Sequence, residues 1–185
     1  SGTDAGVIVA HQASERLGRV GEITDINSAL ISDLVAADYI PVIASIAIGE
    51  DGGCYNVNAD VAAGHIAAAI GAHKIIFLTD VDGLFENYPD CDSLIANMTV
   101  EEARAMVEER SVSTGMIPML SSCLTALDAG VMRAHIVNGT IPHALLLELL
   151  TDKGIGTMIT RPSLPGSFNV TPLGNFAAKL IESRE

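Results

Sequence analysis

Short apolar runs alternate along the chain with stretches in which apolar residues recur every three or four positions. The first pattern is typical of strands and the second of amphipathic helices. Strands are predicted at 6–11, 19–26, 39–48, 74–79, 133–139 and 154–160. Helices are predicted at 27–38, 59–72, 99–109 and 115–130, with a fifth that begins at Pro142. This order predicts an α/β fold in three layers, with helices on both faces of a mostly parallel open sheet.

Three local signals refine this prediction. The nearly continuous apolar run "YIPVIASIAI" at 39–48 indicates a central strand that is buried on both faces. Thr99 and Glu102 have the spacing of a capping box at the start of a helix. Pro142 suits the first position of a helix, because that position needs no backbone N–H.

The two ends of the chain differ in composition from the rest. After Thr160 the sequence changes to "RPSLPGSFNVTPLG", which is typical of a connector, and then to a short amphipathic segment. We therefore predict an α/β domain at 1–160 and a tail of unknown role at 161–185. The opening "SGTDAGVIVA" lacks Met and leads almost directly into a strand, so we expect that an upstream portion of the protein is missing.

Composition narrows the class of protein. The 185 residues are 49% apolar and contain no Trp, which fits buried strands flanked by alanine-rich helices. A net charge of −13 argues against a nucleic-acid partner, since no basic stripe is available to meet phosphates. No apolar run has membrane-spanning length and no signal peptide is visible, and three widely spaced cysteines indicate reduced thiols. We expect a cytoplasmic protein.

The stretch "DGGCYNVNAD" (51–60) places polar side chains at every second position just before a predicted helix. If it is the end of an extended segment, Asn56, Asn58 and Asp60 lie on one side. Amides can hydrogen-bond a carboxylate or another amide without adding charge, and the helix start offers N–H groups to the same anion. The alternative is structural, with Asn58 as an N-cap and Asp60 as a first-turn acid that complements the helix dipole. The pattern leaves both interpretations open.

A second candidate site is "FLTDVDGLF" (77–85). Thr79 and Asp80 lie at the carboxyl end of a predicted strand, where ligands bind in open α/β sheets, and Gly83 permits a tight turn. A nucleotide could lie across this loop, with Asp80 or Asp82 near a ribose or a phosphate-bound metal; the alternative is an ordinary acidic loop. The sequence contains no GxGxxG, P-loop, HExxH or GxSxG motif. The pattern alone therefore predicts an anion site and specifies no reaction.

A resemblance adds the missing chemistry. The segment "YIPVIASIAIGEDGGCYNVNADVAAGHIAAAIGAHKIIFLTDVDGLF", followed by "GMIPM" and "AHIVNGTIPHALLLELLTDKGIGTMI", resembles the C-terminal half of the N-acetyl-L-glutamate kinases, in the amino acid kinase family. It covers about residues 1–160 with several motifs in the same order. The resemblance implies phosphorylation of the side-chain carboxylate of N-acetyl-L-glutamate in arginine biosynthesis, with ATP and Mg²⁺ as cofactors.

The resemblance also implies roles for individual residues. Asn56 and Asn58 would line the acetylglutamate site, and Asp60 would hold the catalytic lysines in place. A carboxylate nucleophile is already deprotonated at neutral pH, so it needs no general base. The nucleotide would be bound by Thr79, Asp80, Gly83, Leu84, Gly115, Met116 and Ile117. No residue of this chain is expected to ligate a metal ion.

Two departures from the family bear on activity. The N-terminal half of these kinases carries a lysine, glycine-rich loops around the transferring phosphoryl group and an arginine that holds the substrate, and we expect this half upstream of Ser1. In addition, Met119 stands where the family has a lysine that touches the phosphates, although Met119 also borders an apolar helical stripe and could simply pack. Phosphoryl transfer depends on positioning and charge neutralisation, so we predict no useful kinase activity for this chain alone.

Two functional hypotheses follow. The chain is either the nucleotide-binding part of an acetylglutamate kinase or a non-catalytic regulatory module that binds a nucleotide or arginine. The expected partners are N-acetyl-L-glutamate and, as an inhibitor bound near "TDKGIGTMI" (151–159), arginine. Because half of an α/β sheet exposes apolar edges, we also expect a homo-oligomer.

Overall fold

The computed structural model describes residues 1–87, 90–113, 115–151 and 154–161. The chain divides into two compact units, Ser1–Ile75 with Ser113–Met132 and Ile76–Val112 with Arg133–Glu185. The α/β class predicted from the sequence is confirmed, because each unit combines strands of one four-stranded sheet with helices. The prediction for the tail at 161–185 lies, from residue 162 onward, outside the described residues.

Most predicted elements are present, with shorter bounds. In chain order they are β1 (Ile8–Gln12), β2 (Gly21–Ile26), α1 (Ala29–Ala36), β3 (Ile46–Ile48), β4 (Cys54–Asn56), α2 (Ala59–Ala69), β5 (Lys74–Thr79), β6 (Asn97–Thr99), α3 (Val100–Glu108), α4 (Met116–Asp128), β7 (Arg133–Asn138), α5 (Ala144–Leu150) and β8 (Thr157–Thr160). The sequence did not predict β6.

The sequence predicted one mostly parallel sheet, whereas the strands form two sheets, each of which is only partly parallel. The first has the order β2-β1-β3-β4, with β1 parallel to β3 but antiparallel to β2, and β3 antiparallel to β4. The second has the order β5-β7-β8-β6, with β8 antiparallel to β7 and parallel to β6. Strands β3 and β4 are antiparallel because the connection between them, residues 49–53, is too short for the crossover that parallel strands require.

The prediction of a buried strand over 39–48 is wrong for most of its length. Only Ile46–Ile48 form a strand, and Tyr39, Ile40 and Val42 are 66%, 91% and 91% exposed. Burial of an apolar strand requires neighbours on its faces and edges, and in the described part of the chain no strand pairs with residues 39–45. Pro41 removes one ladder donor from the same segment.

The first unit has a core of small and β-branched residues between its sheet and helices. The buried members of this core are Val7, Ile8, Ala10, Ile31, Ala47, Val57 and Ala62. Helices α2 and α4 approach closely, since a Cβ added to Gly64 would lie 2.9 Å from the carbonyl oxygen of Ser122. Glycine is therefore required by the packing of these two helices.

In the second unit, one predicted helix start is confirmed and another is wrong. The Thr99 hydroxyl accepts from the Glu102 N–H at 3.2 Å, and the Glu102 carboxylate accepts from the Thr99 N–H at 2.7 Å, which completes the capping box. Helix α5 begins at Ala144 rather than Pro142. The reason is that His143 adopts a left-handed conformation with φ of 61°, which an α-helix does not contain.

Candidate functional site

The segment 54–58 of the first unit presents two amides to solvent. Tyr55 and Val57 are buried, whereas Asn56 and Asn58 between and after them are exposed. Strand β4 therefore gives the alternation that the sequence predicted for these positions. Asp60 does not continue the alternation, because it belongs to the first turn of α2 and is half-buried.

Asn58 is the N-cap of α2. Its Oδ1 accepts a hydrogen bond from the Val61 N–H at 3.0 Å, so the structural interpretation of this residue is correct. The side-chain NH₂ group remains as a pair of donors that a ligand can use. Capping and ligand binding are therefore compatible at Asn58, because they use different ends of the amide.

A polar cluster that the sequence did not reveal holds the hairpin before Asn56. The Tyr55 hydroxyl donates to Asp51 Oδ2 at 2.9 Å, Arg19 Nη1 lies 3.2 Å from the same oxygen, and the Gly53 N–H donates to Asp51 Oδ1 at 2.9 Å. The Gly53 and Tyr55 hydrogen bonds lower the pKa of Asp51, and the bond to the carboxylate raises the pKa of Tyr55. The Asn56 N–H also donates to the Arg19 carbonyl at 2.8 Å. This cluster lies on the face of β4 opposite the Asn56 side chain.

Asp60 and Met119 lie on the two helices that Gly64 brings together. Met119 is 8% exposed and Cys123, one helical turn later, is fully buried. Burial, followed by the nearby Asp60 carboxylate, raises the pKa of the Cys123 thiol to about 12. Asp60 therefore lies close enough to Cys123 on α4 to oppose its ionisation.

Helix α4 begins after an exposed glycine. Gly115 is exposed, provides no side-chain cap, and has no atom within 4 Å of an added Cβ. Met116 and Ile117 follow as half-buried residues of the first turn. The Met116 N–H donates to the Ser113 carbonyl at 2.9 Å, so an anion at this helix start would be bound by N–H groups that follow Met116 in the first turn.

In the second unit, the loop after β5 lies beside the end of β7. The Gly139 N–H donates to the Thr79 carbonyl at 2.8 Å, whereas at the other end of the pair the Met132 N–H donates to the His73 carbonyl at 3.3 Å. The starts of β5 and β7 are therefore adjacent, and so are their ends, which means that the two strands run parallel. Thr79 and the exposed Asp80 occupy the carboxyl end of this pair, as the sequence predicted.

Two side chains from neighbouring strands fix the rest of this loop. Asn138 Nδ2 donates to Asp82 Oδ1 at 2.7 Å, and the buried Leu84 N–H donates to Thr157 Oγ1 at 2.9 Å. Gly83 between them has φ of 150°, and a Cβ there would lie 2.6 Å from Thr157 Oγ1. Sequence reasoning missed Asn138 and Thr157, although their places at the end of one predicted strand and inside another were available as signals.

Within the described ranges, no group of three or more His, Cys, Asp or Glu residues could hold a metal ion. Every helix in the described part of the chain is too short or too polar to span a lipid bilayer. In the loop after β5, two carboxylates are exposed: Asp80 accepts from the Thr79 hydroxyl at 3.4 Å, and Asp82 accepts from Asn138.

Comparison with known proteins identifies the family. The sequence profile described as "Amino acid kinase family" matches residues 1–138. The chain is 48% identical over 163 residues to acetylglutamate kinase from Petrotoga mobilis and 47% identical over 159 residues to that from Nostoc sp., which covers 87% and 85% of this chain and 54% of each relative. The chain belongs to the amino acid kinase family, and the resemblance noted in its sequence is confirmed.

Solved structures show the same fold. N-acetylglutamate synthase from Neisseria gonorrhoeae, complexed with coenzyme A and L-arginine, matches with a TM-score of 0.75 at 26% identity, over 85% of this chain and 37% of that one. Carbamate kinase from Giardia lamblia bound to AMP-PNP matches with a TM-score of 0.60 at 16% identity, over 84% of this chain and 52% of that one. The chain spans about half the length of the curated relatives it matches.

Proposed function

We propose that this chain is the nucleotide-binding part of an acetylglutamate kinase, which phosphorylates the side-chain carboxylate of N-acetyl-L-glutamate with ATP. The observation that carries the proposal is the pair of exposed amides, Asn56 and Asn58, at the start of α2 in a chain 48% identical to an enzyme of that name. The relatives' names favour this function over a non-catalytic regulatory module.

The substrate's chemistry fits this pair of amides. N-acetyl-L-glutamate is a dianion with an acetamide group, so NH₂ donors can hold its carboxylate and amide acceptors its N–H. A neutral pair orients the nucleophilic carboxylate without lowering its electron density through a salt bridge. Because that carboxylate is ionised at neutral pH, Asp60 acts as an organiser of cations rather than as a base.

The nucleotide-binding residues are proposed from the resemblance and supported by local geometry. Thr79, Asp80, Gly83 and Leu84 form the ordered loop at the carboxyl end of parallel strands. Gly115, Met116 and Ile117 form the start of α4, where the Met116 N–H donates to the Ser113 carbonyl and the following N–H groups of the first turn would suit a phosphate oxygen. Mg²⁺ would accompany the phosphates and neutralise charge during transfer. Asp80 and Asp82 are both exposed, and one of them is proposed to lie near a ribose hydroxyl or the phosphate-bound metal.

We also propose that these 185 residues alone do not catalyse transfer at a useful rate. Met119 is buried on α4, and a thioether cannot neutralise a phosphate. Loss of one such cation costs on the order of 10²–10³ in rate, by analogy with a lost oxyanion-hole donor. The burial of Met119 supports the packing role as well, so the position serves structure in this chain.

Arginine is proposed as a ligand near residues 151–159, the region that the resemblance places near the inhibitor site. Glu148 is buried there beside His135, and its Oε2 accepts from the Ile155 N–H at 2.9 Å. Both oxygens of this buried carboxylate are thus engaged within the protein, so the arginine guanidinium is proposed to bind other groups of this region. Titration with L-arginine should give saturable binding that L-citrulline, which lacks the positive charge, does not reproduce.

Self-association is a further part of the proposal. Tyr39, Ile40 and Val42 together form an exposed apolar stretch, and exposed strand-forming segments of this kind promote pairing between chains. Sedimentation equilibrium should show a species heavier than the 19.3 kDa monomer, and a monomer at all concentrations would refute this part.

Calorimetric titration tests the proposed function. Wild-type chain should bind a non-hydrolysable ATP analogue with Mg²⁺ and, independently, N-acetyl-L-glutamate at millimolar or lower concentrations. Asn56→Ala should weaken acetylglutamate binding, whereas Asn97→Ala, a matched change at an exposed position of β6, should not. Failure of the nucleotide to bind would remove the assignment of 79–84 and 115–117. A coupled ADP assay that detects turnover would refute the predicted lack of activity.

A further inference from the structure

Thr157, at the start of β8, makes a buried hydrogen bond to the loop 80–84, and the proposed function gives it no role. It is 1% exposed on β8, and its hydroxyl oxygen accepts the N–H of Leu84, which is itself 2% exposed. The neighbouring Gly156 is packed so tightly that an added Cβ would lie 2.0 Å from the Ile136 carbonyl oxygen. The hydroxyl of Thr157 is therefore held by a rigid part of the sheet.

The loop depends on the hydrogen bond from the Leu84 N–H to Thr157 Oγ1. A buried N–H without an acceptor is costly, because it has lost its bond to water and gained nothing in return. Without the Thr157 oxygen, the main chain around Gly83 and Leu84 would have to move until water reached the Leu84 N–H. The absence of a side chain at Gly83 is what allows the hydroxyl to approach the loop so closely.

We propose that Thr157 is a positioning residue for the nucleotide, and that its hydroxyl oxygen holds residues 80–84 in the conformation that binds ATP. This inference rests on the proposed function, since it assigns Thr157 to the nucleotide side of that site. Thr157 does not touch the nucleotide itself in this proposal. It acts through the Leu84 N–H, so its effect should fall on nucleotide affinity and leave acetylglutamate affinity unchanged.

The test compares three variants of the 185-residue chain. Thr157→Val preserves the shape of the side chain but removes the acceptor, Thr157→Ser preserves the acceptor, and Thr160→Val makes the same change at a half-buried position on the same strand. The measurements are the Kd for AMP-PNP with Mg²⁺, the Kd for N-acetyl-L-glutamate, and the exchange rate of the Leu84 amide proton by NMR.

Thr157→Val should weaken AMP-PNP binding by about tenfold and accelerate Leu84 exchange at least tenfold, as expected for loss of one buried hydrogen bond. Acetylglutamate affinity should stay within about twofold, and Thr157→Ser and Thr160→Val should resemble the wild type. If Thr157→Val does not fold, Gly83→Ala disrupts the same contact from the loop and should also weaken nucleotide binding.

The inference would be overturned by unchanged nucleotide affinity in a folded Thr157→Val chain, or by equal losses of affinity for both ligands. Either result would mean that Thr157 only packs in the core of the sheet. If Thr157→Val accelerates Leu84 exchange but the wild type binds acetylglutamate and no AMP-PNP, the Thr157–Leu84 hydrogen bond exists and the nucleotide assignment of the loop is wrong. If the wild type binds neither ligand, the proposed function itself is refuted.

Discussion

Gly64→Ala perturbs the packing of α2 against α4 and so tests whether this contact is as tight as the structure indicates. The new methyl group would lie 2.9 Å from the Ser122 carbonyl oxygen, which is backbone and cannot rotate away. Alanine is about 1 kcal/mol better than glycine inside a helix. Overpacking of a close contact costs about 1–3 kcal/mol. The packing effect should win, and the free energy of unfolding should fall by about 1 kcal/mol.

The assay is urea unfolding of the wild type and Gly64→Ala, with Ala63→Gly as the matched reference for helix propensity in the same turn of α2. Displacement of α2 would also move Asn58, so acetylglutamate binding should weaken in the alanine variant. A gain in stability of about 1 kcal/mol, equal and opposite to the loss in Ala63→Gly, would mean that propensity alone acts at position 64. The close approach of the two helices would then be refuted.

The remaining predictions concern titratable groups in the first unit. In a Cys91→Ser background, exposed Cys54 should react rapidly with a thiol reagent at pH 7.5, whereas buried Cys123 should react only on unfolding. Burial raises the pKa of the Cys123 thiol from 9.0 to about 12, which lowers its thiolate fraction about a thousandfold. Equal reaction rates for the two cysteines would contradict the burial of Cys123. The pKa of Asp51 is lowered by the Gly53 and Tyr55 hydrogen bonds, so its contribution to stability is present above the ordinary value of 3.8 and is lost as pH falls through the lower folded value. Asp51→Asn should therefore be less stable than the wild type at pH 6, with a difference that narrows towards pH 2, and a constant difference would contradict this linkage.

Local sequence signals predicted the elements that depend on local interactions. The capping box at Thr99 and the strand that ends at Thr79 are formed as expected, since each requires only neighbouring residues or a buried apolar run. The segment 39–48 shows the limit of such reasoning. Its composition indicates a buried strand, but whether a strand forms depends on a pairing partner, and composition does not reveal whether one is present.

The candidate site was predictable in part for the same reason. Asn56 and Asn58 were identified from alternation and from a helix start, both of which are local patterns. The cluster of Arg19, Asp51 and Tyr55 joins residues 32 positions apart, and the Leu84–Thr157 bond joins residues 73 positions apart. Neither pairing can be predicted from a local pattern in a single sequence, because only the fold brings these residues together.

The proposed function requires that two groups of residues in this chain bind two different ligands of a kinase reaction. Chemical-shift mapping of the isotopically labelled chain by NMR tests it most directly, with AMP-PNP and Mg²⁺ in one titration and N-acetyl-L-glutamate in another. The nucleotide should shift the amides of 79–84 and 115–117, and acetylglutamate should shift the side-chain amides of Asn56 and Asn58. Saturable shifts at other positions, or none at millimolar ligand, would contradict the claim.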